Sequence, residues 1–198
     1  MRKTAVALVA AALPLAAAAQ VESYNIDSYH TVPYFEIDHL GYAAIRGRFD
    51  KPTGKFTIDR AAKTGTLELV IQTASVSTGD PERDGRPRTR DEHLRSPDFF
   101  NVAEFPTMTY RATGVKFRGD DPDVIEGNLT LLGVTKPVQI KIERWKCGPD
   151  PRTQGKRYQC GGNATGAFKR SEFGMKIYLP TALADEVRLW MSFYGFRQ

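Results

Sequence analysis

Apolar and polar residues alternate along most of the chain with a period of two, which is typical of β-strands that bury one face. The clearest run extends from Thr66 to Val76, and its Leu67, Leu69 and Ile71 share one face. Similar runs, separated by turns rich in Gly, Pro, Asn and Asp, lie at residues 21–27, 34–49, 54–60, 106–117, 124–133, 134–145, 162–174 and 186–196. We predict about eight to ten antiparallel strands at meander-like spacing, which favours a barrel or a sandwich.

Residues 89–110 interrupt this alternation, directly after a long polar loop at residues 77–90. Within them, Ser96-Pro97-Asp98 has the N-cap, the proline and the first-turn acid that begin many helices. We therefore predict one short helical segment around residues 91–104.

Two adjacent aromatic residues, Phe99 and Phe100, lie in this helical segment among charged neighbours. They would either form a lid over an apolar interior or plug the end of a β-structure. The alternation pattern alone does not distinguish a filled core from a barrel that encloses a cavity.

The chain begins like a secretory signal peptide. Arg2 and Lys3 precede an apolar run, residues 5–19, which ends in small residues before Gln20. This run is too short for a typical membrane-spanning helix. We predict cleavage near Ala19 and a single exported domain over residues 20–198, with no integral membrane segment after cleavage.

The net charge of the chain is only mildly positive. Formal net charge is +5 for the whole chain and +3 after the leader is removed, because two of the 28 basic residues leave with it and none of the 23 acidic ones do. The basic residues are scattered, so the sequence does not indicate binding of nucleic acid.

The two cysteines, Cys147 and Cys160, are an even pair in a chain predicted to be exported, and we expect a disulfide. The residues between them are rich in Gly, Pro and charge, as in a surface hairpin loop. The alternative, a redox or metal-binding pair, lacks the CxxC spacing and nearby histidines.

No constellation of residues gives a positive sign of catalysis. A zinc site would need His30, His39 and His93 together, yet none of them are paired at short spacing. The nucleophile elbow G-x-S-x-G and a phosphate-binding glycine loop are both missing from the sequence. Asp91 and His93 could form an acid–base pair, although residues two apart need not face each other. We predict no cofactor and no metal.

Four motifs in order resemble the YceI-like family of exported, lipocalin-like proteins over nearly the whole predicted domain. They are YNIDSYHTVPYFEIDHLGYAAIRGRF, TRDEHLRSPDFFNVAEFPTMTY, GNLTLLGVTKPVQIKI and GNATGAFKRSEFGM. The resemblance implies an all-β, lipocalin-like extended antiparallel barrel of about eight strands around an apolar tunnel. It further implies a periplasmic protein that binds a polyisoprenoid chain, such as an isoprenoid lipid or a quinone-like molecule.

The resemblance also implies which positions would contact a ligand. Within its motifs, the matching positions are His30, His39, Asp91, His93, Leu94, Phe99, Phe100, Arg170, Phe173 and Gly174. The apolar side chains predicted to line the tunnel are Phe35, Ile37, Phe49, Leu67, Leu69, Ile71, Phe99, Phe100, Tyr110, Leu129, Leu131, Phe168, Phe173 and Leu189. The predicted contacts to a ligand head group are His39, His93 and Arg170.

Three functions remain open at this point. The first is a carrier that holds an apolar amphiphile for transport, storage or sequestration without chemistry. The second is an enzyme that acts on such a lipid through His93 and Asp91. The third is an envelope stress or interaction protein that uses an exposed face, and a homodimer is possible.

Overall fold

The computed structural model describes residues 21–80, 82 and 85–198, so the predicted signal peptide lies outside the described residues. Within these residues, one short α-helix, α1 (Arg90–Arg95), and three 3-10 helices, Thr73–Ser75, Pro151–Thr153 and Arg170–Phe173, accompany eleven strands of a single antiparallel sheet. The strands are β1 Glu22–Ile26, β2 Val32–His39, β3 Ala43–Phe49, β4 Pro52–Asp59, β5 Thr64–Gln72, β6 Val76–Ser77, β7 Thr107–Arg118, β8 Asp121–Leu131, β9 Val134–Pro149, β10 Tyr158–Lys169 and β11 Leu183–Arg197.

The eleven strands occupy eight positions around a closed barrel. The sheet runs β1-β4-β5-β7-β8-β9-β10-β11, and β11 pairs again with β1 to close it. Strands β1 and β2 pair with successive parts of β11. In the next position, β4 pairs with β1 and β3 pairs with β2. In the position after that, β5 pairs with β4 and β6 pairs with β3. Strands β1 and β2 therefore fill one strand position together, as do β3 and β4, and β5 and β6, and the predicted lipocalin-like barrel of about eight strands is confirmed.

Both ends of the barrel are defined by the connections between strands. The α1 end carries α1, the β2–β3 and β8–β9 turns, and the long connection from β10 to β11. The disulfide end carries the β4–β5, β7–β8 and β9–β10 connections. The predicted disulfide is confirmed, because Cys147 on β9 is bonded to Cys160, its paired residue on β10.

Alternation places the apolar side chains of the strands inside the barrel, as expected for a sheet with one buried face. A main cluster of buried residues joins Phe49, Leu69, Tyr110, Leu129 and other inward positions from most of the strands. A smaller cluster at the disulfide end centres on Tyr24, whose ring stacks on Phe56 at 4.7 Å.

The run predicted at residues 34–49 is divided into β2 and β3 by a tight turn. Leu40 and Gly41 both have positive φ there, +60° and +70°. Positive φ is easily adopted by glycine. A similar tight turn, with Leu132 and Gly133 at positive φ, joins β8 to β9.

The helical interval is shorter than predicted, and its predicted N-cap is wrong. α1 spans Arg90–Arg95 only, and Thr89 is its N-cap, since the Thr89 side chain accepts from the Glu92 N–H while Glu92 accepts from the Thr89 N–H. This reciprocal capping box fixes the start of the helix. Ser96 lies at the C-cap instead, and residues 97–100 form turns.

Candidate functional site

The barrel encloses a cavity of about 440 Å³. This volume lies within the roughly 300–1,000 Å³ of typical small-molecule sites. The lining extends from Ile58 and Trp145 at the disulfide end to His93 and Tyr178 at the α1 end. Most of the lining side chains are aliphatic or aromatic, so the interior is an apolar cavity and not a fully packed core.

All of the predicted tunnel residues except Phe173 line this cavity. Phe173 is buried behind the wall, where its ring packs edge-on against Phe168 at 5.3 Å. Its prediction followed a sequence motif that turns out to form a short 3-10 helix, Arg170–Phe173, outside the strands. The structure thus brings the predicted residues together, while their contact with a ligand stays a prediction.

Phe99 and Phe100 both lie in the cavity wall at the α1 end. Phe100 packs edge-on against Phe49 at 5.4 Å, and Phe99 packs against His93 at 5.0 Å. The backbone N–H of Phe100 donates to the carbonyl of Leu94, so the turn after α1 holds both rings inward.

His93 lines the cavity at the α1 end, and its partner is not the predicted one. The His93 Nε2 atom lies 2.9 Å from Asp98 Oδ2, and Asp98 also accepts from Arg88 at 3.2 Å. These hydrogen bonds lower the pKa of the Asp98 carboxyl. Asp91 accepts instead from the backbone N–H and hydroxyl of Thr78.

Arg170 is almost completely buried, with 1% of its surface exposed. Its guanidinium donates to four backbone carbonyls, those of Ala184, Met175, Ile177 and Leu183, at 2.8–3.2 Å. Arg170 does line the cavity, but most of its five N–H donors are already engaged. Its main structural role is to hold the connection between β10 and β11.

Several lining residues at the α1 end were missed by sequence analysis. Arg90, Met175 and Tyr178 line the cavity next to the predicted His39 and His93. Tyr178 is 48% exposed, so the cavity reaches the surface here. Met175 and Tyr178 lie in a connection without a period-two pattern, which explains why the pattern gave no signal for them.

Trp145 was missed at the disulfide end of the cavity, and a β-bulge explains why. Ile140 and Ile142 point inward, so strict alternation would place Trp145 on the outer face. The register between β9 and β10 shifts at this point, because Ile142 pairs with Ala164 and Arg144 with Asn163, leaving Glu143 unpaired. The extra residue turns Trp145 into the cavity.

The interior offers few polar groups to a ligand. The Tyr110 hydroxyl donates to the carbonyls of Val138 at 2.8 Å and Ile125 at 3.2 Å, and burial raises the pKa of this phenol. Within the described residues, no group of three or more His, Cys, Asp and Glu side chains could hold a metal ion. Among those same residues, no helix is long and apolar enough to cross a membrane.

Comparison with known proteins identifies relatives of this barrel. The family model described as the YceI-like domain matches residues 24–194. A UPF0312 protein of Pseudomonas aeruginosa is 41% identical over 202 residues. The protein YceI of Escherichia coli O157:H7 is 39% identical over 202 residues. Both alignments cover 100% of this chain and 100% of the relative.

Solved structures share the fold. BcnA of Burkholderia cenocepacia aligns with a TM-score of 0.64 at 19% identity, covering 85% of this chain and 98% of that one. A structure described as a polyisoprenoid binding domain from Saccharophagus degradans aligns with a TM-score of 0.60 at 17% identity, covering 88% of this chain and 98% of that one. At these identities the likeness supports the fold and not the ligand.

Proposed function

Since the chain belongs to the YceI-like family, we propose that it is an exported binding protein that holds a polyisoprenoid or another long apolar amphiphile inside its barrel. The observation that carries this proposal is the apolar cavity, which extends from Trp145 at one end to His93 at the other. The leader-like residues 1–19 and the disulfide both favour the periplasm, where oxidised cysteine pairs persist.

The cavity suits a long hydrocarbon chain for a simple energetic reason. Burial of apolar surface contributes about 25 cal/mol per Å², and this term needs no directional contacts. The lining supplies Leu, Ile, Phe and Met side chains from nearly every strand position and few polar groups. The name of the Saccharophagus degradans domain suggests polyisoprenoids as the chemical class, and branched methyl groups would fill the irregular wall.

The enzyme alternative would have to use a different pair from the one the sequence suggested. Asp91 is engaged by Thr78, so the carboxylate available to His93 is that of Asp98. His93→Ala should leave ligand binding nearly unchanged if the protein only binds. Loss of a measured turnover with unchanged binding and melting temperature would favour the enzyme.

Native mass spectrometry of protein purified from the periplasm of an exporting host tests the proposal. We expect an apolar molecule that organic extraction removes and that added prenyl quinone replaces. A clean apo mass together with no uptake of added prenyl quinone would refute the proposed function.

A pair of variants on β8 localises the binding. Leu129→Trp should fill the cavity from inside and reduce uptake, whereas Thr130→Trp, the next residue on the outer face, should not. Melting temperatures of both variants control for folding. Equal uptake by both variants would place the ligand outside the barrel.

A further inference from the structure

The indole N–H of Trp145 is a buried donor without an acceptor. Among the described residues, its Nε1 atom is the buried side-chain nitrogen or oxygen that has no hydrogen-bond partner. The ring packs between Phe56 and Phe193, with centroids 6.0 and 5.8 Å away. Its neighbours in the wall, which include Ile142 and Ala164, are likewise apolar.

A buried donor that lacks a partner is costly, about 1–3 kcal/mol for a neutral group. Native proteins therefore pair nearly all such groups, and an exception calls for an explanation. Trp145 lines the cavity, where the adjoining wall side chains are apolar. On its other side it borders a smaller pocket whose lining includes Asp123, Glu143 and Arg144, and none of these side chains accepts from its N–H. An acceptor is thus best supplied from the cavity itself.

We propose that Trp145 is a hydrogen-bonding subsite for the polar end of the ligand, which lies at the disulfide end with its isoprenoid chain directed toward α1. This inference rests on the proposed function and adds an orientation and a head-group class. It reverses the orientation implied by His39, His93 and Arg170 as head-group contacts.

The state of the predicted head-group residues supports this orientation. His93 is already bonded to Asp98, and Arg170 donates to four carbonyls. The Trp145 N–H, by contrast, is unused. A ligand oxygen next to Trp145 would gain a hydrogen bond without displacing an existing one.

Charge at the disulfide end selects a neutral head group. Among the described lining residues, the Lys and Arg side chains are Arg90 and Arg170, and both lie at the α1 end. A phosphate placed inside the cavity beside Trp145 would have no cation among the cavity-lining side chains at that end, because the nearby Arg118 and Arg144 line the separate smaller pocket. Burying a phosphate there is very unfavourable. An indole N–H suits a neutral acceptor, so a carbonyl or hydroxyl oxygen fits best, as in a prenyl quinone.

Trp145→Phe tests the subsite because it removes the donor and keeps an aromatic ring. Two probes are compared by equilibrium binding: a prenyl quinone, which carries carbonyl acceptors, and squalene, an isoprenoid hydrocarbon without any. We expect a 3- to 10-fold weaker affinity for the quinone, the range of one hydrogen bond, and less than a 2-fold change for squalene. Tyr194→Phe is the matched control, because it removes a hydroxyl donor and keeps the ring at an exposed position of β11 that does not line the cavity. It should change neither affinity.

A second measurement does not depend on Trp145→Phe folding. The chain has two tryptophans, so the ¹⁵N-labelled Trp190→Phe protein has a single indole N–H resonance, that of Trp145. We expect the quinone to shift its proton downfield and squalene to leave it nearly in place.

The possible outcomes separate this inference from the proposed function. Failure of wild-type protein to bind either probe would refute the proposed function itself. Binding of both probes with an equal loss in Trp145→Phe, or with the same indole shift, would overturn the subsite and leave a purely apolar contact. Selective loss of quinone affinity in His93→Ala but not in Trp145→Phe would overturn the proposed orientation.

Discussion

Replacement of Arg170 by Met should destabilise the barrel more than most single substitutions. The side chain is 1% exposed and donates to the carbonyls of Met175, Ile177, Leu183 and Ala184. All four carbonyls belong to the connection between β10 and β11 or to the start of β11. Methionine would fill much of the volume while leaving these acceptors without a donor.

The expected loss can be bounded from these contacts. Hydrogen bonds to a charged group contribute about 1.5–3 kcal/mol each. Four of them do not add in full, because the connection can open and let water reach its carbonyls. We expect the free energy of unfolding to fall by about 3–5 kcal/mol, which corresponds to a melting temperature lower by roughly 10 °C in a domain of this size.

Urea unfolding and hydrogen exchange would measure this effect. Arg188→Met is the matched control, since Arg188 is exposed on the same wall and pairs with Glu36 and Glu186 on the surface. Surface pairs of this kind contribute about 0–1 kcal/mol. An Arg170→Met protein within 1 kcal/mol of wild type, with unchanged exchange in residues 175–184, would refute the role assigned to Arg170.

Three further predictions address the disulfide, a close contact and acid stability. Replacing both Cys147 and Cys160 by Ser should lower the free energy of unfolding in urea by about 3 kcal/mol. Ligand affinity should stay the same, because neither residue lines the cavity, and a loss of affinity would contradict this. Gly195→Ala would place a Cβ 2.4 Å from Phe56 Cε1 and should cost about 1–3 kcal/mol by calorimetry, whereas Gly148→Ala meets nothing within 4 Å and should be nearly neutral. Arg86 and the Arg90 N–H lower the pKa of Asp80 to about 2, so its stabilisation is complete above an unfolded pKa of about 4 and is lost as the pH falls toward 2. Asp80→Asn should reduce the fall in the free energy of unfolding over this acidic pH range. An unchanged slope would contradict the stabilising role given to Asp80.

Sequence alone predicts the barrel well because each strand has one apolar face, and the period of two records it directly. The pattern fails where a residue is inserted or where the chain leaves the sheet. Glu143 is the first case, since the bulge it forms reverses the direction of Trp145. The second is the connection that holds Met175 and Tyr178, which is fixed by the buried Arg170 and not by alternation. Long-range partners of this kind leave no periodic signal.

Whether Phe99 and Phe100 form a lid or a plug depends on how the barrel wall is closed at the α1 end. Strand β5 pairs with β7 as far as Gln72 and Thr107. Beyond this point its continuation, β6, pairs with β3 on the side of β4, and no described strand pairs with it on the side of β7.

The β7 side of β6 is thus left as a gap in the wall, and α1 fills it together with the segment that follows α1. Arg95 donates to the carbonyls of Ala74 and Val76, both at 2.9 Å, where a neighbouring strand would otherwise bond. Asp91 adds two hydrogen bonds to Thr78. Outward movement of Phe99 and Phe100 together with α1 would break these four bonds, so the segment is a section of the wall. For the proposed ligand, we therefore expect exchange beside this segment, past the half-exposed Tyr178, and not through it.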